Sequence, residues 1–134
     1  MHAKGTFETA NWNPQPAYSD HDGVSLAHVT MSKTFEGDLA GTATVSMIVT
    51  GSEHEDSRSY VAMERVEGTL GGRAGTFVMQ HNAVSDLGTD TLRITVVPGS
   101  GTGELTGLRG DFQVHIAPDG SHSYTFDYTL GGAS

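Results

Sequence analysis

The chain has 134 residues, 36% of them hydrophobic, with 18 glycines and no cysteine. A formal net charge of −9 argues against nucleic acid and anionic membranes as partners, and the missing cysteines exclude disulfides and thiolate metal sites. The length fits one domain, no run is long enough to cross a bilayer, and Met1–Phe7 lacks the apolar core of a secretory leader, which points to a cytoplasmic protein.

Gly5 to Trp12 reads as a first strand, closed by Asn13-Pro14-Gln15-Pro16 because proline cannot donate to a ladder. Tyr18 to Gly23 reads as a polar loop ending in an Asp-Gly turn. Val24 to Phe35 alternates imperfectly, which predicts a long strand with a bulge. Thr42 to Thr50 is cleaner: Ala43, Val45, Met47 and Val49 share one face, and Ser46 with the threonines shares the other. An acidic loop, Gly51 to Ser57, precedes strands at Arg58–Glu67 and Arg73–Asn82. Thr91 to Val97 is the sixth strand, with Leu92, Ile94 and Val96 alternating.

Then comes a segment with glycine at 99, 101, 103, 107 and 110, too glycine-rich for a helix and suited to a long turn. Asp111–Ile116 and Ser121–Leu130 follow, joined by Pro118-Asp119-Gly120, a hairpin signal. His122, Tyr124, Phe126, Tyr128 and Leu130 fall on one face of the last strand. The pattern Gly-x-Leu-x-Gly recurs around Leu39, Leu70 and Leu105, each time as a turn whose leucine tucks over a sheet end.

Eight strands joined by short turns, with no sustained helical period, predict an all-β, eight-stranded antiparallel barrel. A barrel of that size is filled by side chains or holds one small ligand.

The set Gly5-Thr6-Phe7-Glu8 with Trp12, Lys33-Thr34-Phe35-Glu36-Gly37, Met63-Glu64-Arg65-Val66-Glu67-Gly68 and Gly75-Thr76-Phe77-Val78-Met79-Gln80-His81 spans much of the chain. With the 98–110 turn and His122-Ser123-Tyr124-Thr125, it resembles an uncharacterised bacterial family of the allene-oxide-cyclase-like barrel. Plant allene oxide cyclases and dirigent proteins are more distant likenesses. The resemblance implies a barrel interior able to hold a small apolar molecule, and relatives that are often homo-oligomers. It carries over none of the plant enzyme's catalytic residues.

Glu64 and Arg65 are neighbours, so on a strand they point to opposite faces. A Glu aimed into an apolar barrel would have its pKa raised by desolvation and could act as an acid or base. If the Gly68–Arg73 turn sets Glu64 and Phe77 on one face, His81 joins Glu64 there; a register one residue different brings Gln80 instead. Glu64 and His81 are therefore the candidate proton-transfer pair. Trp12, Tyr60, Phe77, Gln80, His122 and Tyr124 are the candidate ligand-binding residues, with His122 or Tyr124 supplying a polar group near the mouth. The bland readings are a surface or structurally paired Glu64, a solvated His81, and plain core for the last-strand aromatics.

No His-x-His occurs, the seven histidines are scattered, and no metal or other cofactor is expected. The glycine-rich turn lacks the Lys-Ser/Thr of a phosphate loop, and no nucleophile elbow is present. The expected function is a small-molecule isomerase or cyclase acting on an apolar ligand. A non-catalytic carrier or sensor and a filled structural barrel are the alternatives.

Overall fold

The computed structural model describes residues 1–131. It is all-β, with nine strands: β1 (His2–Pro14), β2 (Ser19–His21), β3 (Val24–Gly37), β4 (Leu39–Gly51), β5 (Arg58–Leu70), β6 (Arg73–Asp86), β7 (Thr89–Val96), β8 (Arg109–Ile116) and β9 (His122–Thr129). Every pairing is antiparallel. Strands β3 to β9 form a meander, and β1 closes it by pairing with both β9 and β3, giving an eight-stranded barrel. The short β2 extends the line of β1 beside β3. One turn of 3-10 helix, Gly103–Leu105, is the helical element among the described residues, and none of these residues forms a helix long and apolar enough to cross a membrane.

Alternation decides which side chains face inward. In β4, Ala43, Val45 and Met47 are buried while Thr42, Thr44 and Ser46 are exposed, as a half-buried strand requires. All eight expected strands are present, with two differences. The Tyr18–Gly23 segment, expected as a loop, contributes β2, because Asp22 (φ 55°) and Gly23 (φ 81°) make a tight turn that folds it back on β3. The bulge expected in β3 lies in β1 instead. Ala10 pairs with Ser32 and Asn13 with Thr30, so β1 holds one extra residue there, and Asn11 sits at φ 59°.

The barrel has two unlike halves. At one end the interior is solid. Leu39, Leu70 and Leu105, the three leucines of the glycine-flanked repeat, are all 0% exposed and close that end together with Leu108. The segment after β7 folds across it, and Gly75 allows the approach, since a Cβ there would overlap the Thr102 carbonyl oxygen. Above these leucines Phe35, Phe112, Tyr124 and Phe126 interlock, with Phe112 stacked on Tyr124 at 5.1 Å. Each such fully buried large side chain stabilises the fold by roughly 1.5–3 kcal/mol.

Toward the other end the inner wall opens. Burial is complete at Glu64 and Met79 but only partial at Tyr60, Ala83 and Val114, and the inward positions Leu92 and Ile116 are 44% and 68% exposed. The wall is also incomplete there. β5 and β6 pair from Arg58↔Ser85 down to Leu70↔Arg73, whereas β7 and β8 pair only at Ile94↔Phe112 and Thr95↔Asp111. β9 meets β1 no higher than His122↔Phe7. The β8–β9 hairpin is thus a low side of a cup whose tall side is β3 to β7.

Candidate functional site

Four polar side chains lie where the solid half meets the cup, joined in one row. Register sets their order. Glu64 pairs with Met79, which puts Phe77, Met79 and His81 on the inward face of β6 with Glu64. His81 lies diagonally across from Glu64, and Tyr60 diagonally across from His81, the spacing at which neighbouring strands bring long side chains into contact. Ala62 and Ala83 occupy the other corners of this staircase and leave room for it. Lys33 reaches Glu64 from β3, across β4, where Ala43 and Val45 stand between them.

The row runs from half-buried to fully buried. The Tyr60 hydroxyl lies 3.3 Å from His81 Nδ1, and His81 Nε2 lies 2.6 Å from Glu64 Oε1. Lys33 Nζ donates to the same carboxylate oxygen at 3.2 Å and sits 4.9 Å from the centre of the Phe7 ring. Lys33, Glu64 and His81 are 6%, 0% and 4% exposed. Among the described residues, Glu64 Oε2 has no hydrogen-bond partner.

The charge state follows. Burial pushes the Glu64 carboxyl up, but the His81 hydrogen bond and the Lys33 charge outweigh it and hold the pKa below the ordinary carboxylate range. The expectation of a raised Glu64 is corrected on this point, because two donors meet the carboxylate where an empty apolar wall was assumed. Burial, then the Glu64 charge, pushes the Tyr60 hydroxyl up, so it is protonated at neutral pH. An ionised carboxylate only accepts, so His81 Nε2 carries a proton and donates to Glu64. The other ring nitrogen, Nδ1, meets the Tyr60 hydroxyl, and which of the two donates follows the proton on the ring.

The other expected ligand contacts divide. His122 is half-buried and stacked on Phe7 at 5.0 Å, on the cup side. Phe77, 0% exposed, packs on Phe126 in the solid half, so it is core and not cup wall. Tyr124, 1% exposed, is also core. Its hydroxyl accepts from the Leu39 N–H at 2.8 Å and faces the Leu39 carbonyl at 3.0 Å, which ties β9 to the β3–β4 turn. Gln80 is exposed on the outer face, because the observed register takes His81 inward. Trp12 is 62% exposed, since it falls inside the β1 bulge where alternation breaks, and it lines an outer groove of about 920 Å³ with Met63 and Arg65. The sequence missed Lys33. Its signal was a lysine between Met31 and Phe35 on the apolar parity of β3.

Residues 3–128 match the family model described as a protein of unknown function, DUF3224. The chain belongs to the DUF3224 family. A DUF3224 crystal structure of unknown function from Shewanella oneidensis MR-1, at 1.84 Å resolution, is 36% identical and superposes with a TM-score of 0.92, covering 99% of this chain and 98% of that one. No curated protein matches this DUF3224 chain. Among its described residues, no three His, Asp or Glu side chains are placed to hold a metal ion.

Proposed function

We propose that the open half of the barrel binds a small, largely apolar molecule and exchanges a proton with it, in the manner of an isomerase or cyclase. The observation that carries this reading is the hydrogen-bonded row from half-exposed Tyr60 through His81 to buried Glu64. A ligand X–H group beside Tyr60 would pass its proton to the phenol oxygen as Tyr60 passes its own to His81 Nδ1. Glu64 would stabilise the imidazolium so formed, and Lys33 would keep Glu64 ionised. Returning the proton to another ligand atom completes an isomerisation with no net gain or loss. Glu64 is out of ligand reach in this scheme and acts by positioning His81. The resemblance to allene oxide cyclases agrees with such chemistry at the level of fold.

Native mass spectrometry of protein from its own host would identify a retained ligand, and turnover of that ligand and its relatives follows. Tyr60→Phe and His81→Ala should each lower turnover by about 10²–10⁴-fold, the usual worth of a general acid or base. Unchanged turnover in both would remove the row from the chemistry. A carrier is the second reading, favoured by the lowered Glu64, which is ionised and not poised near neutral pH. A carrier would release a ligand and convert none.

A further inference from the structure

We propose that the outer wall of β3 to β6 is the face through which two copies of this chain meet as a dimer. This stands apart from the cup, which occupies the inner face of the same strands.

The alternation that sends Glu64 and His81 inward sends Ile48, Val61, Met63 and Val84 outward, where all four are exposed. Val61 pairs with Ile48, and Met63 stands opposite Ser46 on the adjoining strand. The groove of about 920 Å³ beside Trp12 continues into a second hollow of about 470 Å³, with Ser46 and Met63 common to both. Trp12, Met63, Val61 and Ile48 thus border one continuous depression. Exposed apolar groups gathered in this way mark an interaction surface, and tryptophan, methionine and arginine are enriched where proteins meet.

Charge selects the occupant. The outward positions of β3 from Leu26 to Thr34, of β4 from Thr42 to Thr50, of β5 from Ser59 to Arg65 and of β6 from Thr76 to Val84 include none of the chain's 16 acidic residues and no lysine. Arg65 is their one formal charge. The opposite wall differs: Lys4, Glu8, Arg109, Asp111 and Asp127 all take exposed outward positions there. Across a two-fold axis, residues near the axis face their own counterparts, so a charged wall repels itself and an uncharged one does not. Two chains of net charge −9 therefore approach with least repulsion through β3 to β6. A basic partner would gain more at the acidic strand connections, and an acidic one is repelled by the whole chain.

Shape and size fit as well. A barrel wall twists into a hyperboloid, hollow along the axis and convex around it, so it can seat a copy of itself set crosswise. Four strands about 4.8 Å apart and about 30 Å long present on the order of 600 Å² in projection. Side-chain relief carries the accessible area toward the ~800 Å² per partner of a specific interface.

The test is sedimentation equilibrium of the full chain over a range of concentrations, with tryptophan fluorescence read alongside. The native chain should form a dimer, and the dimer should tighten several-fold as salt shortens the Debye length from about 30 Å to about 8 Å and screens the two like charges. Trp12 is the chain's single tryptophan, so its emission should shift to the red as dilution separates the copies. Met63→Glu should weaken the dimer at least 10²-fold, and Trp12→Ala, which adds no charge, should weaken it at least tenfold; both positions are exposed, and circular dichroism should match the native chain. Gln113→Glu puts the same charge on the opposite wall and should leave the dimer within a few-fold of native. A native chain that stays monomeric overturns the inference. A dimer that Met63→Glu and Trp12→Ala leave intact, that forms without a change in Trp12 emission, or that Gln113→Glu weakens as much as Met63→Glu, is joined through another face and overturns it too.

Discussion

At the scale of single residues, the Lys33–Glu64–His81 cluster is a liability as well as a device, because two charges have been taken out of water. Glu64→Gln would leave the Lys33 ammonium buried without its counter-charge, and urea unfolding should show a loss of about 3–5 kcal/mol. Acid should expose the same coupling. The Glu64 pKa in the fold lies below its ordinary 4.5, so its contribution is present above that value and disappears as pH falls through the folded pKa. The urea midpoint of the native chain should therefore drop below pH 4.5, and Glu64→Gln should flatten that part of the curve. Glu64 and His81 were legible in the sequence once a register was assumed, since both occupy the inward parity of their strands. The direction of the Glu64 shift was not, because it takes the His81 hydrogen bond together with the Lys33 charge, and Lys33 lies on β3, 31 residues away.

At the scale of elements, turn chemistry and alternation made the strands readable, and the three glycine-flanked leucines could be placed at a barrel end before any pairing was known. The β1 bulge was not readable: an extra residue at Ala10–Asn13 leaves no compositional mark, yet it carries Trp12 to the outside. Tyr124 could be placed on the inward face, with plain core as one of its two readings, but the partner of its hydroxyl, a backbone amide on a distant turn, was not readable. That bond should be measurable. Tyr124→Phe strips the buried Leu39 N–H of its acceptor and should cost about 1–3 kcal/mol in thermal or urea unfolding. Gly5→Ala should be at least as damaging, because a Cβ there overlaps the Glu36 carbonyl oxygen and crowds the Tyr124 hydroxyl.

At the scale of the whole molecule, stability should be graded along the barrel axis. The solid half contains the interlocked aromatics and leucines, whereas the cup has partly exposed inner walls and a short β7–β8 seam. Amide hydrogen exchange should find the slowest protons around Val66, Phe77 and Phe126. Exchange should be faster by orders of magnitude in the upper parts of β7 and β8, at Thr91 and His115, where local opening needs little disruption of packing. Uniform protection along β7 would contradict the two-halved description.

The closure of the ring has a mechanical consequence. His2 and Asp127 face each other at one end of the β1–β9 ladder, and the bonds between antiparallel strands run across the strand direction. Force applied at those two residues would peel the ladder open from its outermost rung, loading one pair at a time instead of sharing the strain. Tethered there, the barrel should yield at low force. Held instead by His2 and His122, at opposite ends of the same ladder, it should resist as a sheet in shear.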